Sequence, residues 1–157
     1  MKKTVQTFLL LSLFASPAIT LADSPSCGRI EILIDNVRSE EGIVGVALFN
    51  AKKGFPDKSA LAIEGRSIPA GKRCKVIFEN VPYGTYAISV LHDENGNGKM
   101  DKGFLGIPKE GFGTSNNPEI KMGPPSFSDS RFDLKSKEMT LNIDMKYLRK
   151  PENQEPQ

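Results

Sequence analysis

In the run RIEILIDNV, Ile30, Ile32 and Ile34 alternate with Glu31, Leu33 and Asp35, and this period of two returns along the chain. It recurs where Tyr86, Ile88 and Val90 alternate with Ala87, Ser89 and Leu91. It recurs again where Met139, Leu141, Ile143 and Met145 alternate with Thr140, Asn142 and Asp144. Alternate side chains of an extended chain point to opposite faces, so each such run has one face for a core and one for solvent. No segment has a helical period of useful length. The pattern predicts an all-β fold, an antiparallel β-sandwich with six to seven strands and one long loop. The predicted inward set is Ile30, Ile32, Val44, Val46, Leu48, Val76, Phe78, Ile88, Val90, Leu141 and Ile143.

Breakers divide the strands. Arg29 to Val37 and Gly42 to Asn50 flank the turn-like Ser39-Glu40-Glu41-Gly42 and are expected to pair as an antiparallel hairpin. Leu61 to Ser67 reads as a short edge strand, followed by Lys72 to Val81, Thr85 to His92, Phe127 to Leu134 and Glu138 to Leu148. Between them, residues 93 to 126 carry seven Gly and four Pro and show neither strand nor helix pattern. So long a structureless stretch inside a domain calls for a function or for something that holds it.

The start of that stretch suggests what holds it. Asp93, Asn95, Asn97 and Asp101 put short oxygen side chains at positions 1, 3, 5 and 9 of a loop, with Gly98 at position 6 and Lys99 at position 7. Hard cations want alternate oxygens that converge in a tight turn, with Gly at the bend and a backbone carbonyl from position 7. The expected ion is calcium, held as a structural cofactor by Asp93, Asn95, Asn97, the Lys99 carbonyl and Asp101. Position 12 is Phe104, so the bidentate Glu of a helix-flanked calcium loop is missing, and the affinity should be weak unless Glu110, Asp57 or Asp129 folds in. The competing reading is a plain turn, because Asn-Gly pairs also favour hairpin loops. Phe104, Phe112 and Phe127 are expected to plug the long loop onto the sandwich. The alternative is an aromatic rim for a ligand, with Asn116 and Asn117 nearby.

Residues 1–22 have the plan of a secretory signal peptide: Lys2 and Lys3, an apolar run from Phe8 to Phe14, and a small residue at Ala22. A single domain is expected over 23–148, with a disordered tail over 149–157. The leader holds two of the 21 Lys and Arg and none of the 19 Asp and Glu, which leaves a mature net charge of zero. Such a chain has no excess charge to attract nucleic acid or an anionic membrane, and no stable membrane insertion is expected after cleavage. Export implies a periplasmic or secreted protein in an oxidising compartment. There, Cys27 and Cys74 are expected to form a disulfide. Two cysteines and one histidine give a poor set for zinc, and no Gly-rich run ends in Lys-Ser or Lys-Thr as a P-loop would.

The run from Phe78 through Val81-Pro-Tyr-Gly-Thr-Tyr86 to Asp93-Glu-Asn-Gly-Asn-Gly-Lys-Met-Asp101 resembles a family of small secreted bacterial proteins, domain-of-unknown-function family 2141. The likeness extends through Phe104-Leu-Gly-Ile-Pro108, Ser115-Asn116-Asn117 and Gly123-Pro-Pro-Ser-Phe127. It implies no activity. The Val-Pro-Tyr-Gly-Thr-Tyr run is also similar to a strand corner of transthyretin-like and carboxypeptidase-regulatory sandwiches, which implies fold alone. The transthyretin-like hydrolase of a urate breakdown product has a His and Arg set and a C-terminal Tyr-Arg-Gly-Ser that are absent here.

These residues point to an exported, non-enzymatic binding or accessory module acting on an unidentified ligand or envelope partner. The alternatives are a periplasmic hydrolase using His92 with Asp93 or Glu110, and a structural envelope protein acting through a sheet edge. The single histidine reads more simply as a hydrogen-bonded structural residue. Neither Ser115 nor Ser126 has a second histidine to activate it.

Overall fold

A computed structural model describes residues 26–121 and 123–149. The expected signal peptide over 1–22 and residues 150–157 of the expected tail lie outside the described residues. Eight strands form two sheets: β1 (Cys27–Asp35), β2 (Ile43–Phe49), β3 (Glu64–Pro69), β4 (Cys74–Pro82), β5 (Gly84–Asp93), β6 (Gly111–Thr114), β7 (Phe132–Leu134) and β8 (Glu138–Asp144). One sheet has the order β4-β1-β8. The other runs β3-β2-β5-β6, with β7 pairing the opening residues of β5. The all-β sandwich expected from the alternation is the fold observed.

Its core is the inward set. Ile30, Ile32, Val44, Val46, Leu48, Val76, Phe78, Ile88, Val90 and Ile143 are all buried, and Leu141 is partly buried against them on the edge strand β8. Tyr86 turns inward at the corner where β4 passes into β5 and the chain changes sheets. Its hydroxyl donates to the Pro82 carbonyl at 2.8 Å, which closes the corner.

Four expectations about the strands are corrected. β1 and β2 do not form a hairpin: β1 pairs with β4 and β8, and β2 with β3 and β5. The chain leaves β1 at Asn36, in the left-handed region at φ 62°, and crosses to the facing sheet. The pairing is also not wholly antiparallel, since β1 and β8 run parallel. Period two says which face is buried and is silent about which strand lies alongside. Phe127 to Leu134 is not one strand: a single helical turn, α1 (Phe127–Ser130), is capped by Ser126 and precedes β7. The glycine-rich stretch, read as structureless, contains β6.

The expected Cys27–Cys74 disulfide is not formed, and both thiols are free. The register explains why. Cys27 sits opposite Pro82, while Cys74 sits opposite Ile34, seven residues further along β1. At about 3.3 Å per residue the two cysteines lie roughly 20 Å apart along the ladder, whereas a disulfide needs Cα atoms within about 7 Å. Sharing a strand pair is not enough when the residues occupy its opposite ends.

Candidate functional site

β5 delivers His92 and Asp93 to the rim of the sandwich, and the loop starts there. Asp93 is 1% exposed. Its two carboxylate oxygens accept the backbone N–H groups of Asn97 at 3.1 Å and Gly98 at 2.7 Å. Asn95 Oδ1 accepts from Asn97 N at 3.1 Å, and Asn97 Oδ1 accepts from Lys99 N at 3.0 Å. Each short polar side chain therefore satisfies an amide two to five residues ahead, which winds the loop around its own oxygens. Asp101 closes it, accepting at Oδ2 from Asn95 Nδ2 at 2.7 Å and Asn97 Nδ2 at 3.0 Å. Those two bonds hold the Asp101 carboxyl below its ordinary pKa. Asp93, Asn95, Asn97 and Asp101 are thus brought together, and Lys99 contributes its backbone beside them.

Glu110 locks this loop from the other side. It is 4% exposed, and its Oε1 and Oε2 accept from Glu94 N at 3.1 Å and Asp101 N at 2.9 Å. One carboxylate thereby ties both ends of the loop to the approach of β6. Of the other two candidate late ligands, Asp57 pairs with Lys102 at 3.4 Å, and Asp129 accepts from Ser126 Oγ at 2.7 Å. Neither is part of the loop. Among the described residues there is no group of three or more His, Cys, Asp or Glu placed to hold a metal ion. Any cation here would rest on two carboxylates with amide and backbone oxygens.

Behind the loop lies a buried polar chain. Arg38 N donates to the Tyr147 hydroxyl at 3.1 Å, and Tyr147 Oη lies 2.8 Å from His92 Nδ1. His92 Nε2 lies 2.8 Å from the Glu41 carbonyl. A carbonyl can only accept, so Nε2 carries the proton and Nδ1 accepts from the tyrosine. His92 is fully buried with both nitrogens committed. Asp93 and Glu110, its candidate acid–base partners, spend their oxygens on backbone amides.

The Arg38 guanidinium stacks 4.5 Å from the Tyr147 ring centroid and grips Glu94 with two N–H groups, one of them at 2.8 Å. The hydrogen bonds from Arg38 hold the Glu94 carboxyl below its ordinary range, and burial raises the Tyr147 phenol. Gly111 is required here, because a Cβ would stand 2.2 Å from the Tyr147 ring. This requirement explains why β6 has so weak a strand signature.

The aromatic expectation divides. Phe127 plugs the loop, packing edge-on against Phe55, which in turn packs on Phe49. Phe104 does not: it is 82% exposed. Asn116 and Asn117 face no ligand, since their amides donate to the backbone carbonyls of Asp129, Arg131 and Asn142. Phe112 lies across from Leu91 on the outward face of the β2-β5-β6 sheet. That face is the floor of a cleft of about 710 Å³, walled by the long loop. Nothing in the alternation singled out this cleft. The available signal was the run of small outward residues Gly45, Ala47 and Ser89, which a solvated strand face has no need of.

Sandwich, wound polar loop and loop-walled cleft together define a small all-β module. The chain belongs to the family described as uncharacterized protein conserved in bacteria, DUF2141, whose sequence profile matches residues 32–142. No curated protein and no solved structure matches it.

Proposed function

We propose that this protein is an exported, non-enzymatic binding or accessory module whose Asp93–Asp101 loop takes a weakly held calcium ion. The observation that carries the reading is the convergence of the Asp93, Asn95, Asn97 and Asp101 side chains in one wound loop, with the backbone amides already satisfied. Oxygens that accept one amide bond retain a second lone pair for a cation. Binding displaces the two carboxamide N–H groups that now donate to Asp101 Oδ2, while the Asn95 and Asn97 oxygens keep their backbone amides and offer their second lone pair. The cation then replaces two N–H···O contacts with direct oxygen coordination, and water completes the shell. Two carboxylates make a site of low affinity, on the order of 10⁻⁴ to 10⁻³ M, which suits an extracytoplasmic compartment.

Asp101→Asn is the informative variant, because Asp101 is half-buried with its side-chain bonds at the loop's exposed side and is no part of the hydrophobic core. Calorimetry with calcium should give saturable heat for the parent chain and none for Asp101→Asn. Magnesium should compete poorly, since it demands a compact octahedron and parts with its waters reluctantly. Proteolysis between Lys102 and Lys121 should slow when calcium is added. Absence of heat up to several millimolar calcium, with an unchanged cleavage rate, reduces the loop to a turn.

A further inference from the structure

Two glycines on adjacent strands of the cleft floor have no reason within the protein to be glycine. Gly45 in β2 and Gly65 in β3 both have ordinary backbone conformations, absent from the positive-φ set. A Cβ built on Gly45 meets nothing nearer than the Leu91 carbonyl at 4.0 Å, and one on Gly65 nothing nearer than the Val46 carbonyl at 3.8 Å. Glycine inside a strand weakens it and is found where a ligand or another backbone comes close to the sheet. The chain itself does not come close. Ala47, opposite Gly65, and Ser89, opposite Ala47, continue the row of small residues across the sheet.

The walls add two observations. Leu105, Ile107, Ile120 and Leu148 all line the cleft, and all are among the large apolar side chains left exposed. Leu105 is 82% exposed and sits at φ 61°, a left-handed conformation that a bulky residue adopts only under constraint. Such strain clusters at ligand clamps. The charge left unpaired at the cleft is positive. Of the cleft's cations, Arg66 pairs with Glu64 and Lys102 with Asp57, but Lys99 and Lys121 have no ion-pair partner among the described residues. The cleft's only other carboxylate, Asp93, has both oxygens on backbone amides.

We infer that the cleft over Gly45 and Gly65 binds a small amphipathic anion, with an aliphatic body laid on the glycine floor and a carboxylate or similar head met by Lys99 and Lys121. The volume lies within the range of small-molecule sites. This inference deepens the binding-module reading and is independent of calcium in the loop.

The probe is decanoate below its micellar concentration, followed by calorimetry in chelator and again in calcium. Decanoate should bind, and Gly45→Val should weaken it about tenfold or more while leaving the melting temperature unchanged or raised, because valine suits a strand. Gly65→Ala provides a second, milder filling of the same floor. The Lys99→Gln/Lys121→Gln double variant should lose about threefold or more in decanoate affinity with little change for 1-decanol. No binding of decanoate overturns the proposal. So does equal binding by Gly45→Val, or equal affinity of parent and double variant. Sedimentation of the parent as a dimer that Gly45→Val dissociates would also overturn it, assigning the cleft to a second copy of the chain. Failure in decanoate with calcium heat intact sinks the cleft alone. Calcium failure with decanoate binding intact sinks only the loop site.

Discussion

Replacing Glu110 by glutamine tests the claim that one buried carboxylate holds the whole Asp93–Asp101 loop in place. The side chain keeps its shape, but one of its two accepting oxygens becomes an NH₂ group. That group would face either Glu94 N or Asp101 N, now held at 3.1 and 2.9 Å. One charge-assisted hydrogen bond is lost, the other is weakened to a neutral one, and a donor is set against a donor. Hydrogen bonds to charged groups contribute about 1.5–3 kcal/mol each, so the cost should be about 2–3 kcal/mol. Glu110→Ala loses both bonds and should cost about 3–5 kcal/mol. For a domain of this size, about 3–4 °C of melting temperature accompanies each kcal/mol. Glu110→Gln should therefore melt roughly 6–12 °C below the parent. Thermal unfolding by circular dichroism gives the magnitude, and amide hydrogen exchange gives the location. The N–H groups of Glu94 and Asp101 should lose protection while those of β1 and β2 keep theirs. A melting temperature within about 2 °C of the parent, or unaltered exchange at those two amides, refutes the reasoning.

Tyr147→Phe should remove the acceptor of Arg38 N and the partner of His92 Nδ1, leaving two buried polar groups unsatisfied at about 2–4 kcal/mol. Urea unfolding of this variant and of a Tyr147→Phe/His92→Phe pair checks it, since the double variant should cost less than the sum of the single ones. Acid should weaken the fold partly through Glu94. Its carboxyl lies below its ordinary value of 4.5 because of Arg38, so its contribution is full above pH 4.5 and is lost as pH falls through the folded value. The stability difference between the parent and Arg38→Met should be largest near pH 6 and shrink steadily below pH 4.5. A difference that stays constant to pH 3 would assign the role of Arg38 to its stacking on Tyr147 alone.

The sequence by itself determined the class of fold and its inward face. A hydrophobic residue at every second position of β1, β2, β5 and β8 can be buried in only one way, and Ile30, Val46, Ile88 and Ile143 are where the alternation put them. It also determined the loop, because Asp, Asn and Gly at short spacing dictate which amides are bonded locally. Tertiary structure alone decided the rest. Strand neighbours depend on how the chain crosses between sheets, so β1 pairs with β4 and β8 instead of β2, and Cys27 and Cys74 fall at opposite ends of one ladder. Gly111 could be recognised as a strand residue only once Tyr147, far along the chain, was seen to fill the place of its side chain. Glu110 became the clamp of the loop only when β6 returned to pair with β5. The cleft has the same origin: Gly45 and Gly65 are twenty residues apart, and only the β2–β3 pairing sets them on one floor. Local spacing encodes contacts that a chain makes with itself within a few residues, whereas these contacts join distant segments through the sandwich.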